Sequence, residues 1–204
     1  DLDNFFALEL DNLPDETFED NVSAVSRCIL YQDVLCGLFD KNFEGLGLRE
    51  HYRKKYEKLK SISVPGFELL FDYYRSLTKV LFEKAEIGID IKRAYDNGDM
   101  ASLSSLLSDL KALLGDYRDM CDKFEALWRS ENKPFGFDVY DVRTGGMKAR
   151  METAIKRLTA YVNGETDKIE ELEEEKLYNL NRDNKTPNLR EHPYRMIANV
   201  VRIG

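Results

Sequence analysis

The sequence predicts an all-α fold: a bundle of about five or six helices followed by an irregular or extended C-terminal tail. Three observations predict it. Apolar residues recur at three- and four-residue spacing through most of the chain, and apolar–polar alternation of the strand kind is almost absent. Turn signals, among them Pro65-Gly66, Asn97-Gly98 and Asn163-Gly164, fall where the periodic runs end. With 204 residues, the chain is long enough to bury a sizeable core without disulfides or a structural metal.

Leu13-Pro14-Asp15 suits the start of the first helix, because proline is tolerated in the first turn and acids are favourable at the positive end of the helix dipole. Phe18, Val22, Val25, Ile29, Leu35 or Cys36, and Phe39 continue the period, with polar Gln32 as the single lapse. This predicts one helix ending between Asn42 and Gly47. LREHYRKKYEKLK from Leu48 reads as a shorter, charged helix stopped by Ser61 to Ser63 and Pro65-Gly66. From Phe67, the series Leu70, Phe71, Tyr74, Leu77, Leu81, Gly88, Ile91 and Tyr95 describes one long helix to Asn97-Gly98.

Asp99 caps the next helix, whose stripe is the cleanest in the chain: Leu103, Leu106, Leu107, Leu110, Leu113, Leu114, Tyr117, Met120, Cys121, Phe124, Leu127 and Trp128. The tight turn between these two helices makes them antiparallel neighbours. Met147, Met151, Ile155, Leu158 and Val162 mark another helix, closed by Asn163-Gly164. A further helix starts at Thr166 or Asp167 and runs through IEELEEEKL, its carboxylates forming a solvated face. From Asn181 the period is lost, Pro187 and Pro193 intervene, and MIANVVRIG reads as an extended strand or a docked segment.

The net charge of −8 opposes the counterion release that drives binding to phosphate backbones, so no nucleic-acid partner is expected. No run of about eighteen apolar residues exists, so no membrane span is expected. No basic-then-apolar leader opens the sequence, which starts at Asp1 and reads as a piece of a longer protein. Cys28, Cys36 and Cys121 each lie in or beside an apolar stripe, where cysteine acts as a small buried hydrophobe. An odd cysteine count fits a reducing compartment, and a cytoplasmic location is expected.

Chemistry-bearing patterns are few. A di-metal bundle site needs Glu-x-x-His, yet Leu48 and Leu189 stand three residues before His51 and His192. Neither histidine belongs to a nucleophile–base pattern, and there is no phosphate-binding loop or dinucleotide fingerprint. No metal, cofactor or catalytic residue is therefore expected. Asp138 and Asp141, beside Trp128, Phe135, Phe137 and Tyr140, combine carboxylates with aromatic faces as sugar-processing sites do. Asp141 also reads as the cap of a helix starting at Val142.

The stretch ENKPFGFDVYDVRTGGMKAR, residues 131–150, interrupts the helical pattern with Pro134, two close phenylalanines and Gly145-Gly146. Small residues near a helix start let two backbones approach closely, and that contact must offset about 1 kcal/mol per glycine. ALWRSENKPFGFDVYDVRTGGMKARMETAIKRL and the earlier RCILYQDVLCGLFD resemble the C-terminal helical domain of a subgroup of glycoside hydrolase family 20, the β-N-acetylhexosaminidases.

This resemblance implies chemistry carried elsewhere, on a (β/α)-barrel with an adjacent Asp-Glu pair, where the Glu is the acid and the substrate's acetamido oxygen attacks. The one adjacent Asp-Glu pair here, Asp15-Glu16, follows Pro14 at a helix start, where the dipole explains both acids. The fragment alone is expected to be inactive. Residues 1–14 would then leave a catalytic barrel of the same parent chain, 15–180 form the bundle and 181–204 the tail.

The resemblance makes Trp128, Asn132, Phe135, Phe137, Asp138, Tyr140, Arg143, Gly145 and Gly146 the candidate docking surface, for the barrel or for a second subunit in a homodimer. Internal packing and contact with the rim of the sugar pocket are the alternatives. The expected role is a non-catalytic accessory domain of an enzyme that removes terminal N-acetylhexosamines. The rival is a free-standing helical interaction or oligomerisation module, recognisable by a self-complementary face.

Overall fold

In the computed structural model residues 2–11, 13 and 25–178 are described; the expectations for 14–24 and for the tail from Asn181 lie outside them. Among the described residues the protein is helical and has no strand. Its elements are α1 (Leu2–Phe6), α2 (Val25–Tyr31), α3 (Asp40–Phe43), α4 (Leu48–Lys60), α5 (Glu68–Lys84), α6 (Ile87–Asp96), α7 (Met100–Glu131), α8 (Phe137–Val162) and α9 (Glu170–Glu173). The bundle rests on the six longer ones. α4 pairs with α5, α7 runs back along α5 and α6, α8 returns along α7, and α2 lies against α5 and α8.

The stripes read from sequence supply the core, including Leu81, Ile91, Leu110, Tyr117, Met147, Met151 and Leu158, all buried. α7 starts as expected, the Asp99 carboxylate accepting a hydrogen bond from the Ser102 N–H at 3.0 Å. Such a cap contributes about 1 kcal/mol.

Three expected elements are corrected. The helix read through Gln32 ends at Tyr31. Gln32 turns inward, its Oε1 accepting from the Phe39 N–H at 3.1 Å and its Nε2 donating to Asp40 Oδ1 at 3.2 Å. The lapse in the stripe is therefore where the chain leaves the helix. Asp33 Oδ1 then accepts from the N–H groups of Leu35 and Cys36 at 2.8 and 2.9 Å and builds a turn. Cys36 sits in this loop and is exposed, against expectation, while Cys28 and Cys121 are buried.

The helix expected from Phe67 to Asn97 breaks at Ala85 and Glu86, where Glu86 leaves helical dihedrals. Contacts with the α2–α3 loop dictate the break. Lys84, fully buried, donates to the carbonyls of Ile29 at 2.5 Å and Gln32 at 2.6 Å. A side chain at Gly88 would come within 2.9 Å of the Val34 carbonyl and 3.0 Å of Asp40 Oδ2, so only glycine lets α6 approach this closely.

The last helix is only Glu170–Glu173. Five carboxylates crowd residues 170–175, and Lys176 is drawn away to donate to the carbonyls of Leu35 and Cys36. The chain is accordingly extended from Glu174. The acids are not only solvated: Glu170 and Glu171 both pair with Arg157.

One end of the bundle gathers α1, the α4–α5 turn and the α7–α8 turn. Phe5 meets Phe67 and Phe71 edge-on at 5.1 and 5.6 Å, and Ala7 joins Leu59 and Phe71 in a small separate core. Tyr73, near the start of α5, packs on Phe124, near the end of α7, with ring centres 4.9 Å apart.

Burial pushes the Asp40 carboxyl up to about 6, against the pull of Lys176 and Lys84. The folded state thus holds a proton that the unfolded chain releases. This stabilisation is fully present below about pH 4 and is lost as pH rises through about 6. Asp40→Asn has no proton to lose. The unfolding free energy of the wild type minus that of the variant should fall by up to roughly 3 kcal/mol between pH 4 and pH 7. Urea titrations across that range measure it, and a flat difference would remove Asp40 as the titrating group.

Candidate functional site

The turn joining α7 to α8 is built by its own backbone. The Asn132 N–H donates to the Trp128 carbonyl at 2.8 Å and closes α7, and Trp128 Nε1 donates to the Lys133 carbonyl at 3.0 Å. Gly136 then takes φ +93°, a left-handed conformation costly for other residues, and turns the chain into α8. The turn therefore spans only 132–136, and residues 137–141, expected to precede a helix starting at Val142, are already helix.

Consequently Asp138 and Asp141 are exposed residues of the first turns of α8. Asp141 caps nothing, since the helix starts one turn earlier with Gly136 at its cap; Asp138, in the first turn, suits the dipole. Gly145 and Gly146 lie inside the helix, and a side chain at Gly145 would meet nothing within 4 Å. Close backbone approach does not explain Gly145 among the described residues.

Two stripes interleave on the first half of α8. Phe137, Tyr140, Thr144 and Met147 face inward. Phe137 is only 8% exposed and packs with Trp128 at 6.0 Å, Tyr140 at 5.4 Å and Phe124 at 6.2 Å, with Arg129 over its ring at 5.9 Å. Trp128, Phe137 and Tyr140 thus pack on one another and on Phe124 within the domain. The outward stripe differs. Phe135 is 84% exposed, and Val139 and Val142 about half exposed, at spacings of four and three residues. Asn132 beside them is exposed.

Arg143 lies one turn beyond Val139 and is half-buried. Its Nε is buried and has no hydrogen-bond partner among the described residues. The Tyr31 hydroxyl is pushed up by burial, and the charge of Arg143 partly offsets this, which places the guanidinium toward α2.

The same bundle end exposes more apolar surface. Phe6 is 60% exposed, and Phe67 and Leu69 more than a third. Leu69 precedes Tyr73 by one turn and Trp128 follows Phe124 by one turn; because Tyr73 meets Phe124 across an antiparallel pair, Leu69 and Trp128 lie at one level. Six of the nine exposed large apolar side chains among the described residues therefore share this end. Sequence reading found Phe135 and missed Phe6, Phe67, Leu69, Val139 and Val142.

Elsewhere the described residues hold no group of three or more metal-ligating side chains. His51 Nε2 donates to the Leu10 carbonyl at 2.8 Å, which ties the segment after α1 to α4. A cleft of about 360 Å³ on the α3–α6 side is lined by charges that pair with one another, Lys92 with Asp96 at 2.5 Å and Arg93 with Glu44 at 3.8 Å. No helix among the described residues is long and apolar enough to cross a membrane.

Fold and surface define a class: a helical domain with apolar surface at one end beyond what its own core consumes. A family model described as the Glycoside Hydrolase 20C C-terminal domain matches residues 3–191, and the chain belongs to that family. A comparison with curated proteins returned no match. The resemblance carried by ENKPFGFDVYDVRTGG thus holds at the level of the family.

The two kinds of glycine in this region respond oppositely to alanine. Gly145→Ala removes a flexible residue from an open helical position and should stabilise the domain by about 1 kcal/mol. Gly136→Ala forces a side chain into a left-handed conformation and should cost about 1–2 kcal/mol. Thermal unfolding followed through Trp128, the single tryptophan, measures both; a destabilising Gly145→Ala would mean that a close neighbour exists.

Proposed function

We propose that the chain is the non-catalytic helical domain of a β-N-acetylhexosaminidase, and that its apolar end docks on the catalytic barrel preceding it in the parent chain. The barrel carries the chemistry, release of terminal N-acetylhexosamines. The helical domain supports it.

The observation that carries this reading is the gathering of Phe6, Phe67, Leu69, Phe135, Val139 and Val142 at one end. Contiguous exposed apolar patches mark interaction surfaces, and exposed aromatic side chains are the usual anchors. In a C-terminal domain matched from residue 3, the preceding domain joins at α1, which belongs to this same end. The segment that follows α1 ties it to the bundle. Lys55 Nζ donates to the Glu9 carbonyl at 2.7 Å, the Tyr52 hydroxyl to Asp11 at 3.0 Å, and the Ser26 hydroxyl to Asp11 at 2.7 Å. An α1 anchored in this way, with Phe5 packed on Phe67 and Phe71, suits docking better than a free linker does.

In the full-length enzyme, Phe135→Ser combined with Leu69→Ser should split a single calorimetric unfolding transition into two and lower hydrolysis of a chromogenic N-acetylglucosaminide at elevated temperature at least severalfold. The isolated fragment should hydrolyse nothing. Wild-type unfolding and activity in the double variant would overturn the docking reading, and hydrolysis by the purified fragment would overturn the accessory role.

A further inference from the structure

We propose that Arg143 is the charged anchor of the docking face and that its partner is a carboxylate on the catalytic domain. This rests on the docking reading above and adds the chemistry that the facing surface must present.

Ten arginines lie among the described residues. Eight of them, Arg49, 53, 75, 93, 118, 129, 150 and 157, form ion pairs. Arg27 is exposed on α2. Arg143 alone combines the lack of an ion pair with a buried, unpartnered Nε.

Its position makes this informative. Val139, about half exposed, lies one turn before it on α8, so Arg143 stands at the border between the outward face that docking would cover and the side that meets α2. A guanidinium stays charged at every physiological pH and presents a planar fork that matches a carboxylate. Covering the valines without supplying an acid would bury an unpaired cation more deeply, which is strongly unfavourable. A surface that seats on Phe135, Val139 and Val142 therefore has to bring its own acceptor to Arg143, and a bidentate carboxylate satisfies both the charge and the fork. The apolar residues supply contact area. The ion pair fixes which surface fits, and in what register.

The test uses the full-length enzyme carrying Arg143→Lys, treated with a carbodiimide that joins an amine to a carboxylate already in contact. Peptide mapping should find the introduced amine at position 143 coupled to an Asp or Glu of the catalytic domain. A cross-link to a carboxylate within residues 1–204, a cross-link to a second copy of the chain, or none at position 143 would each overturn the proposal. Arg143→Met separates this claim from the docking reading. It should leave the thermal unfolding midpoint of the isolated domain within a few degrees of wild type, and should raise the rate of proteolysis between the domains of the full-length enzyme at least about tenfold. If Phe135→Ser with Leu69→Ser separates the domains while Arg143→Met does not, docking stands and the charged anchor falls.

Discussion

One ammonium group joins the irregular side of this molecule to its regular side. Lys84 Nζ, wholly buried, donates to the carbonyls of Ile29 and Gln32 at the end of α2. Those carbonyls belong to the unsatisfied negative end of a helix, where a cation is favourable. Burial nevertheless makes the charge costly, and it pushes the Lys84 pKa down to about 7 against the pull of Asp33 and Asp40. The arrangement persists because its neighbours use the same loop. Asp40 receives Gln32, Lys176 reaches the carbonyls of Leu35 and Cys36, Gly88 fits beneath Val34, and α5 breaks from α6 one residue after Lys84. A continuous α5–α6 helix would have to give up this set of contacts.

The same loop orients α8. Asp33, whose Oδ1 builds the turn after Gln32, offers its Oδ2 to Arg150. Burial raises the Asp33 carboxyl, but hydrogen bonds from Arg150 and from the Cys36 and Leu35 N–H groups outweigh it and leave the pKa below its usual value. Arg150 and Arg143 are seven residues apart, two helical turns, and so lie on one face of α8. One is paired inside the domain and the other is not. Fixing Arg150 against the loop fixes the rotation of α8 about its axis, and with it the direction in which Val139, Val142 and Arg143 point.

Much of this architecture was legible where local and tertiary demands agree. α4 and α7 start and stop where their stripes, caps and turn residues place them, because a chain with one apolar face, an Asp99 cap and an Asn97-Gly98 turn has few other ways to fold. The misses share a cause. Gln32 looked like a tolerated polar lapse in a helix, yet it is the residue that closes the loop through Phe39 and Asp40. The series from Phe67 to Tyr95 keeps helical period across Ala85 and Glu86, because a single residue leaving helical dihedrals hardly shifts the apolar phase. Periodicity reports which side of a segment is apolar. It does not report whether one helix or two carry it.

The docking face was hidden for a different reason. Single exposed apolar residues are normal on any protein, so Phe6, Phe67 and Val139 carry no signal one at a time. They become a patch only when α1, the α4–α5 turn and the α7–α8 turn arrive at one end, and that is decided by long-range contacts such as Phe5 on Phe67 and Tyr73 on Phe124. Within α8 the signal was present but doubled. Phe137, Tyr140, Thr144 and Met147 face inward, while Val139 and Val142 stand out of phase with them and Phe135 in the preceding turn adds to the outward side. Where two apolar stripes share a helix start, the core accounts for one. The other is surplus to the fold, and apolar surface that a domain's own folding does not use is available for another domain to cover.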